Sequence, residues 1–180
     1  MSKIIAIMLL LCCGMMLFGC ADDNGRRKAE QQKTIVVTDS VGRKVELPYP
    51  LERVAVCNVY NAELITAVGA IDKIVGVDNY IFKDQSGFKN RFNEAQVFGI
   101  SQNAMNYEKL AELAPQAVII TGEGTWRDAQ EMLDRFGIKV IVINSYYTDQ
   151  FADNCRLIGR IFGREEQAEE LVNYFNDKLA

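Results

Sequence analysis

Short apolar segments alternate with segments of helical period over residues 53–180. The apolar segments predict strands at Arg53–Cys57, Lys73–Val77, Ala117–Thr121 and Lys139–Ile143. The periodic segments predict helices at Asn61–Val68, Tyr107–Leu113 and Trp126–Phe136, from about Thr148 to Gly163, and from Arg164 onward to Ala180. Repeated strand–helix units with short apolar strands predict an α/β fold, in which a parallel sheet is covered by helices on both faces.

Two further segments differ from this alternation. Thr34–Thr38 is β-branched, and Lys44–Leu47 alternates polar and apolar residues beyond a turn at 39–43, so an N-terminal β-hairpin is predicted. Residues 78–104 are polar and aromatic with weak periodicity. A loop of that length in a compact domain is usually functional.

The first twenty residues have the pattern of a secretion signal. Lys3 precedes an apolar run over Ile4–Phe18, which ends Leu17-Phe18-Gly19-Cys20 and looks like a bacterial lipobox. We expect residues 1–20 to be a lipoprotein signal peptide, Cys20 to be lipidated, and the polar residues 21–33 to be a flexible tether. The expected location is the outer face of the cytoplasmic membrane. An uncleaved anchor, or a plain signal with a chance cysteine, is the alternative.

Composition excludes several chemistries. The chain has 180 residues, no histidine and a net charge of −4. The lack of histidine excludes His-based triads and His-ligated zinc, and the acidic balance argues against a nucleic-acid partner. Cys57 and Cys155 are far apart, and no recognisable nucleophile–base pair, carboxylate pair or phosphate loop is present. We therefore expect no catalytic site and no His-ligated metal site.

The carboxyl ends of the predicted strands are the expected place for a ligand, as in other parallel sheets. The loops there are rich in Asn, Tyr and Trp, whose flat faces and hydrogen-bonding groups suit a large ligand. The candidates chosen from edge position are Asn58, Tyr60, Tyr80, Trp126, Tyr146 and Tyr147. The alternative is that edge loops are polar and collect tyrosine by chance. Arg91 could meet an anionic ligand or be a solvated charge.

Five blocks of the sequence together resemble one known family. The blocks are residues 35–48, 52–56, 61–77, 106–120 and 157–166. In this order they are similar to blocks of the periplasmic-type binding proteins for iron chelates, heme and cobalamin. The resemblance covers about residues 34–180.

The resemblance implies a fold and a role. Members have two α/β lobes, each with a Rossmann-like parallel sheet, joined by one long helix, and the ligand binds between the lobes. They deliver it to an ABC permease and its ATPase. The implied ligand is a metal wrapped in an organic chelator, and the implied oligomeric state is a monomer. Residues 34–160 would be the N-terminal lobe and 161–180 the start of the inter-lobe helix, with the second lobe missing, so a truncated product is expected.

The resemblance also assigns individual residues. Glu108 aligns with the acidic residue that docks on a permease arginine, although a carboxylate in the first helical turn also suits the helix dipole. Tyr80 aligns with a cleft aromatic of cobalamin binders, whereas Gln102 and Thr121 stand where such binders can carry aromatics. An iron–siderophore or heme is therefore favoured over cobalamin, and Gln102 joins the ligand-binding candidates. Glu63 resembles a recurrent glutamate with a capping or loop-holding role.

Two other functions remain as alternatives. One is a surface lipoprotein that uses the same lobe for adhesion or signalling. The other is an α/β enzyme of unknown type, which the lack of a placed nucleophile–base pair disfavours.

Overall fold

The computed structural model describes residues 33–84 and 86–179. The predicted signal peptide, Cys20 and nearly all of the predicted tether lie outside these residues. Within them, strands β1 to β6 lie at Thr34–Thr38, Lys44–Pro48, Val54–Val56, Ile74–Val77, Ala117–Ile120 and Lys139–Val142. Helices α1 to α6 lie at Val59–Ala67, Asn79–Lys83, Tyr107–Leu113, Trp126–Asp134, Phe151–Phe162 and Glu165–Leu179. No helix in the described ranges has the length and apolar character needed to cross a membrane.

The predicted N-terminal hairpin is confirmed. Strands β1 and β2 pair antiparallel, with Thr38 opposite Lys44. The turn between them is closed by Asp39, whose Oδ1 accepts from the backbone N–H of Arg43 at 2.9 Å. The Ser40 N–H donates to the carbonyl of Val142 at 2.9 Å, which holds the turn against β6.

The predicted parallel sheet is also confirmed, in the strand order β4-β3-β5-β6. The chain runs from β3 to its neighbour β4 on one side, and then crosses to β5 on the other side of β3. The order therefore reverses between β3 and β5. In open parallel sheets a ligand crevice forms at the carboxyl ends of the strands at such a switch point.

The two faces of the sheet carry separate hydrophobic clusters, because side chains alternate along each strand. In β3, Val54 and Val56 contribute to the cluster that contains buried residues of α1, α5 and α6. Ala55 and the following Cys57 contribute to the cluster that contains buried residues of α3 and α4. Helices thus cover both faces, as predicted, and strands buried on both faces need the apolar runs seen in the sequence.

Residues 78–104 contain more structure than the weak periodicity indicated. They form α2, a 3₁₀ turn at Glu94–Gln96, and a segment in which Val97 bridges to Val77 beside β4. Asp78 caps α2, because its Oδ1 accepts from the backbone N–H of Ile81 at 2.9 Å. A helix of five residues is too short to show a period. The segment then folds back at Gly99, where a Cβ would overlap the carbonyl oxygen of Ala104.

The two C-terminal helices pack on each other. The Arg164 N–H donates to the carbonyl of Gly159 at 2.7 Å, and a Cβ at Gly159 would lie 2.5 Å from the Cβ of Ala168. The rings of Phe151 and Phe175 stack with centroids 4.1 Å apart. The helix predicted from Thr148 begins with a 3₁₀ turn, so α5 starts at Phe151. Helix α5 ends at Phe162, and Gly163 separates it from α6. The boundary predicted between residues 160 and 161 therefore lies inside α5.

Candidate ligand-binding site

A cavity of about 650 Å³ lies where β3, β4 and β5 end. We call it the switch-point cavity; its lining residues are Asn58, Val59, Tyr60, Glu63, Asp78, Tyr80, Asp84, Ser86, Ser101, Gln102, Asn103, Thr121, Glu123 and Gly124. A volume of this size is typical of a small-molecule site. The sequence candidates Asn58, Tyr60, Tyr80 and Gln102 are brought together here.

Asn58 and Asp78 form the part of the cavity that follows β3 and β4. The Asn58 backbone N–H donates to Asp78 Oδ2 at 3.0 Å, and the Asn58 side chain accepts from the backbone N–H of Tyr60 at 2.9 Å. Asn58 has φ 77° and ψ 126°, a backbone conformation with positive φ that residues other than glycine rarely adopt. Each side chain therefore caps one helix, and together they fix the positions of α1 and α2 at the cavity.

The carboxyl group of Asp78 is buried. Burial raises its pKa, while backbone hydrogen bonds from Ile81, Asn58 and Tyr80 act in the opposite direction. Asp78 has no Lys or Arg partner among the ion pairs of the described residues.

The caps place two tyrosines at the cavity. Tyr60 lies in the first turn of α1 and Tyr80 in the first turn of α2, and their exposed fractions are 55% and 63%. Aromatic rings left this exposed carry apolar area that a ligand can cover. The two rings are the main aromatic surface that the described residues offer to a ligand here.

Gln102 joins the segment after β4 to the end of β5. Its Oε1 accepts from the backbone N–H of Thr121 at 3.0 Å and from the Thr121 hydroxyl at 2.8 Å. Its Nε2 donates to the carbonyl of Glu123. Because both ends of the amide are engaged, Gln102 shapes the cavity by holding its sides together.

Tyr146, Tyr147 and Trp126 do not line the cavity. The rings of Tyr146 and Tyr147 lie 4.3 Å apart, and burial, a hydrogen bond to Tyr147 and the nearby Glu123 raise the pKa of Tyr146. Trp126 is 9% exposed and packs on the second face of the sheet. Its ring lies 4.2 Å from the guanidinium carbon of Arg43 and 4.1 Å from that of Arg127. Edge position in the sequence could not show this inward orientation.

Two charged candidates also lie outside the lining. Arg91 is exposed in the segment after α2. Glu108 is exposed in the first turn of α3, where the cap Asn106 accepts from the backbone N–H of Lys109 at 2.9 Å. A carboxylate at this position is stabilised by the helix dipole and is also free to meet a partner.

Sequence reasoning missed carboxylates at the cavity. Asp78 directly follows β4 and Glu123 lies in the loop that follows β5, so the edge rule that selected Asn58 could have selected them too. Asp84, at the end of α2, had no such signal. Hydrogen bonds from the side chain and backbone of Ser86 hold the pKa of Asp84 low. Glu63, expected only to cap or hold a loop, is the fourth carboxylate of the lining.

The two described cysteines are buried and unpaired with each other. Burial, and secondarily the nearby Asp78, raises the pKa of the Cys57 thiol. Burial raises the pKa of Cys155 to about 11. Both thiols are therefore neutral core groups at physiological pH.

Comparison with known proteins places this geometry in a family. A family model described as periplasmic binding protein matches residues 54–180. A crystal structure of a periplasmic solute binding protein from Veillonella parvula is 26% identical, with a TM-score of 0.69 over 81% of this chain and 46% of that one. No protein matched in a search of curated sequences.

Two further solved structures share the fold at lower identity. The molybdate-binding protein MolA from Haemophilus influenzae is 23% identical, with a TM-score of 0.68 over 81% of this chain and 52% of that one. Staphylococcus aureus SirA, complexed with staphyloferrin B, is 20% identical, with a TM-score of 0.64 over 81% of this chain and 48% of that one. The chain thus spans about half the length of the solved structures it matches.

The family match covers most of the chain and includes every strand of the parallel sheet and the whole switch-point cavity. It agrees with the resemblance seen in the sequence blocks. The chain belongs to the periplasmic binding protein family.

Proposed function

We propose that this chain is the substrate-binding component of an ABC importer, which captures a metal chelate outside the cytoplasmic membrane and delivers it to the permease and its ATPase. One observation carries the proposal: the switch-point cavity, with Tyr60 and Tyr80 exposed at it, lies in a chain of the periplasmic binding protein family. The family works outside the cytoplasm, in keeping with the predicted signal. The chain acts as a monomer.

The ligand is an iron–siderophore or heme in preference to cobalamin. Gln102 and Thr121 stand where cobalamin binders can carry aromatics, and here their side chains hydrogen-bond to each other at 2.8 Å. The cavity therefore offers aromatic surface on the side of α1 and α2 and polar groups on the side of β5. Relatives with the same fold include a heme binding protein, HmuT, and the petrobactin-binding protein YclQ from Bacillus subtilis, which supports this ligand class.

Fluorescence titration of the chain with hemin, cobalamin and iron-loaded siderophores tests the binding role. Tyr60→Ala and Tyr80→Ala should each weaken binding about fivefold, because each removes an aromatic contact of about 1 kcal/mol. Tyr174→Ala is the matched control, since Tyr174 is as exposed as Tyr80, at 63%, but lies on α6. No response to any ligand would favour the adhesion or signalling lipoprotein instead.

Glu108 is the proposed docking residue for the permease. It is exposed at the start of α3 and is not part of the cavity, so Glu108→Arg should lower transport while leaving ligand affinity unchanged. Glu131→Arg, an equal charge reversal on the exposed side of α4, is the control. Transport at the unmodified rate by the Glu108 variant would contradict the docking role.

Cys20 is the proposed lipid anchor. Labelling of cells with a clickable fatty acid should modify the chain, and Cys20→Ser should abolish the label, because the thiol carries the acyl group. Cys57→Ser should leave the label intact. Equal labelling of the Cys20 variant would overturn the anchor.

A further inference from the structure

We propose that the switch-point cavity selects a chelate with no net negative charge, preferring a cationic one. This inference rests on the proposed function and narrows its ligand class. Of the two ligand types proposed above it favours an iron–siderophore over heme, because heme carries two propionates, and among siderophores it disfavours those built from several carboxylates. It favours iron held by neutral-donor or hydroxamate chains, above all one bearing an ammonium group.

The first support is the charge of the lining. Glu63, Asp78, Asp84 and Glu123 line the cavity, and among the described residues that line it none is Lys or Arg. None of the four takes part in an ion pair within the described part of the chain. Their charges are therefore not neutralised by the protein side chains seen around them.

The second support is that the carboxylates are spread around the cavity. No group of three or more His, Cys, Asp or Glu in the described ranges is arranged to hold a metal ion. Glu63 comes from α1, Asp84 from the end of α2 and Glu123 from the loop after β5. Groups placed in this way do not ligate one bare cation, but they give a negative potential over the whole cavity.

The third support comes from the tyrosines, independently of the carboxylates. The faces of aromatic rings attract cations, so an exposed ring within about 6 Å of a ligand ammonium stabilises the bound cation. Tyr60 and Tyr80 are both exposed at the cavity. Aromatic faces and carboxylates therefore favour the same sign of ligand charge, while an anionic chelate is repelled by both.

The first arm of the test measures the electrostatic potential at the switch-point cavity in the absence of a bound ligand. Small nitroxides of one skeleton, bearing an ammonium or a carboxylate, are added to the isotope-labelled chain, and relaxation of the backbone amide protons is measured by NMR. The ammonium probe should relax the amides of Tyr60, Ser101 and Gly124 at least twofold more than the carboxylate probe does. Equal relaxation, or more by the carboxylate probe, would overturn the proposal.

The second arm uses three ferric complexes of one linear trihydroxamate, whose end group is an ammonium, an acetamide or a succinate. Affinity should fall in that order, with about tenfold between the first and the last at low salt, and the gap should shrink near 0.5 M NaCl. In the double variant Glu63→Gln, Glu123→Gln, the ratio of the affinities for the ammonium and succinate complexes should fall about threefold or more. Glu170→Gln, an exposed carboxylate of α6, should leave it unchanged.

The outcomes separate this inference from the function on which it rests. Equal or tighter binding of the succinate complex would overturn the charge preference and leave chelate capture standing. Binding of none of the three complexes would count against chelate capture itself, and would overturn the charge preference with it.

Discussion

Two buried aspartates, Asp39 in the hairpin turn and Asp78 at the end of β4, are satisfied in different ways. Asp39 is 5% exposed and Asp78 is 2% exposed. The Oδ2 of Asp39 accepts from the Arg43 guanidinium at 2.6 Å, and also from the backbone N–H of Val142 at 3.3 Å. Asp78 accepts only backbone N–H groups and lies in a cavity with three more carboxylates.

The difference is that the charge of Asp39 is used within the fold, whereas the charge of Asp78 is left unpaired, among the described residues, at a cavity that a ligand can enter. Arg43 also packs on Trp126 and donates to Gln130 and to the Val140 carbonyl. We call these contacts of Asp39 and Arg43 the hairpin network, and all of its partners are groups of the protein itself. At the switch-point cavity the backbone fixes Asp78, but no described cation balances it. A buried charge that the protein pairs with another charge stabilises the fold, whereas charge left at a cavity acts on what enters it.

Loss of Asp39 should have the largest effect on stability. Asp39→Ala leaves Arg43 and several backbone N–H groups without their acceptor, so the free energy of unfolding should fall by about 3 kcal/mol. Urea unfolding measures it. Glu46→Ala, on the exposed side of β2, should cost under about 0.5 kcal/mol. Similar costs for the two variants would mean that the hairpin network is not structural.

Loss of Gln102 should have an intermediate effect, confined to the cavity. Gln102→Ala leaves the buried Thr121 N–H and hydroxyl without their acceptor, so we expect a cost of about 1–2 kcal/mol. Hydrogen exchange at the Thr121 amide should accelerate. Gln167→Ala, exposed on α6, serves as the control. Unchanged exchange at Thr121 would show that Gln102 does not hold the end of β5.

The smallest effect is expected from Asp78→Asn, and it should depend on pH. Burial raises the pKa of Asp78, so the native state keeps this proton to higher pH than the unfolded state does. The contribution of Asp78 to the free energy of unfolding of the wild type is therefore greatest below about pH 4, and it falls as the pH rises through the raised pKa.

The asparagine variant has no such proton. The free energy of unfolding of the variant minus that of the wild type should therefore increase as the pH rises through this window. Above the window this difference should be constant. Unfolding of both proteins in urea at a series of pH values measures this. A difference that changes in the opposite direction would show that hydrogen bonds, and not burial, dominate at Asp78.

Local sequence signals predicted the sheet better than the site. The apolar strands and the hairpin turn were predictable because each follows from neighbouring residues. Placement of Tyr60 and Tyr80 at a cavity followed from the rule that parallel strands end at one edge. The direction in which Trp126 points, and the engagement of Gln102 with Thr121, depend on contacts between segments distant in the sequence. No local pattern carries that information.

The central claim is that the switch-point cavity binds a metal chelate. The most direct measurement is an NMR titration of the isotope-labelled chain with the diamagnetic gallium complex of the ammonium-bearing trihydroxamate. We predict saturable shifts in the backbone amides of Asn58, Tyr60, Tyr80, Gln102 and Thr121, with the hairpin amides of residues 34–48 unchanged. Shifts centred on the hairpin or on α6, with the cavity amides unmoved, would contradict the account.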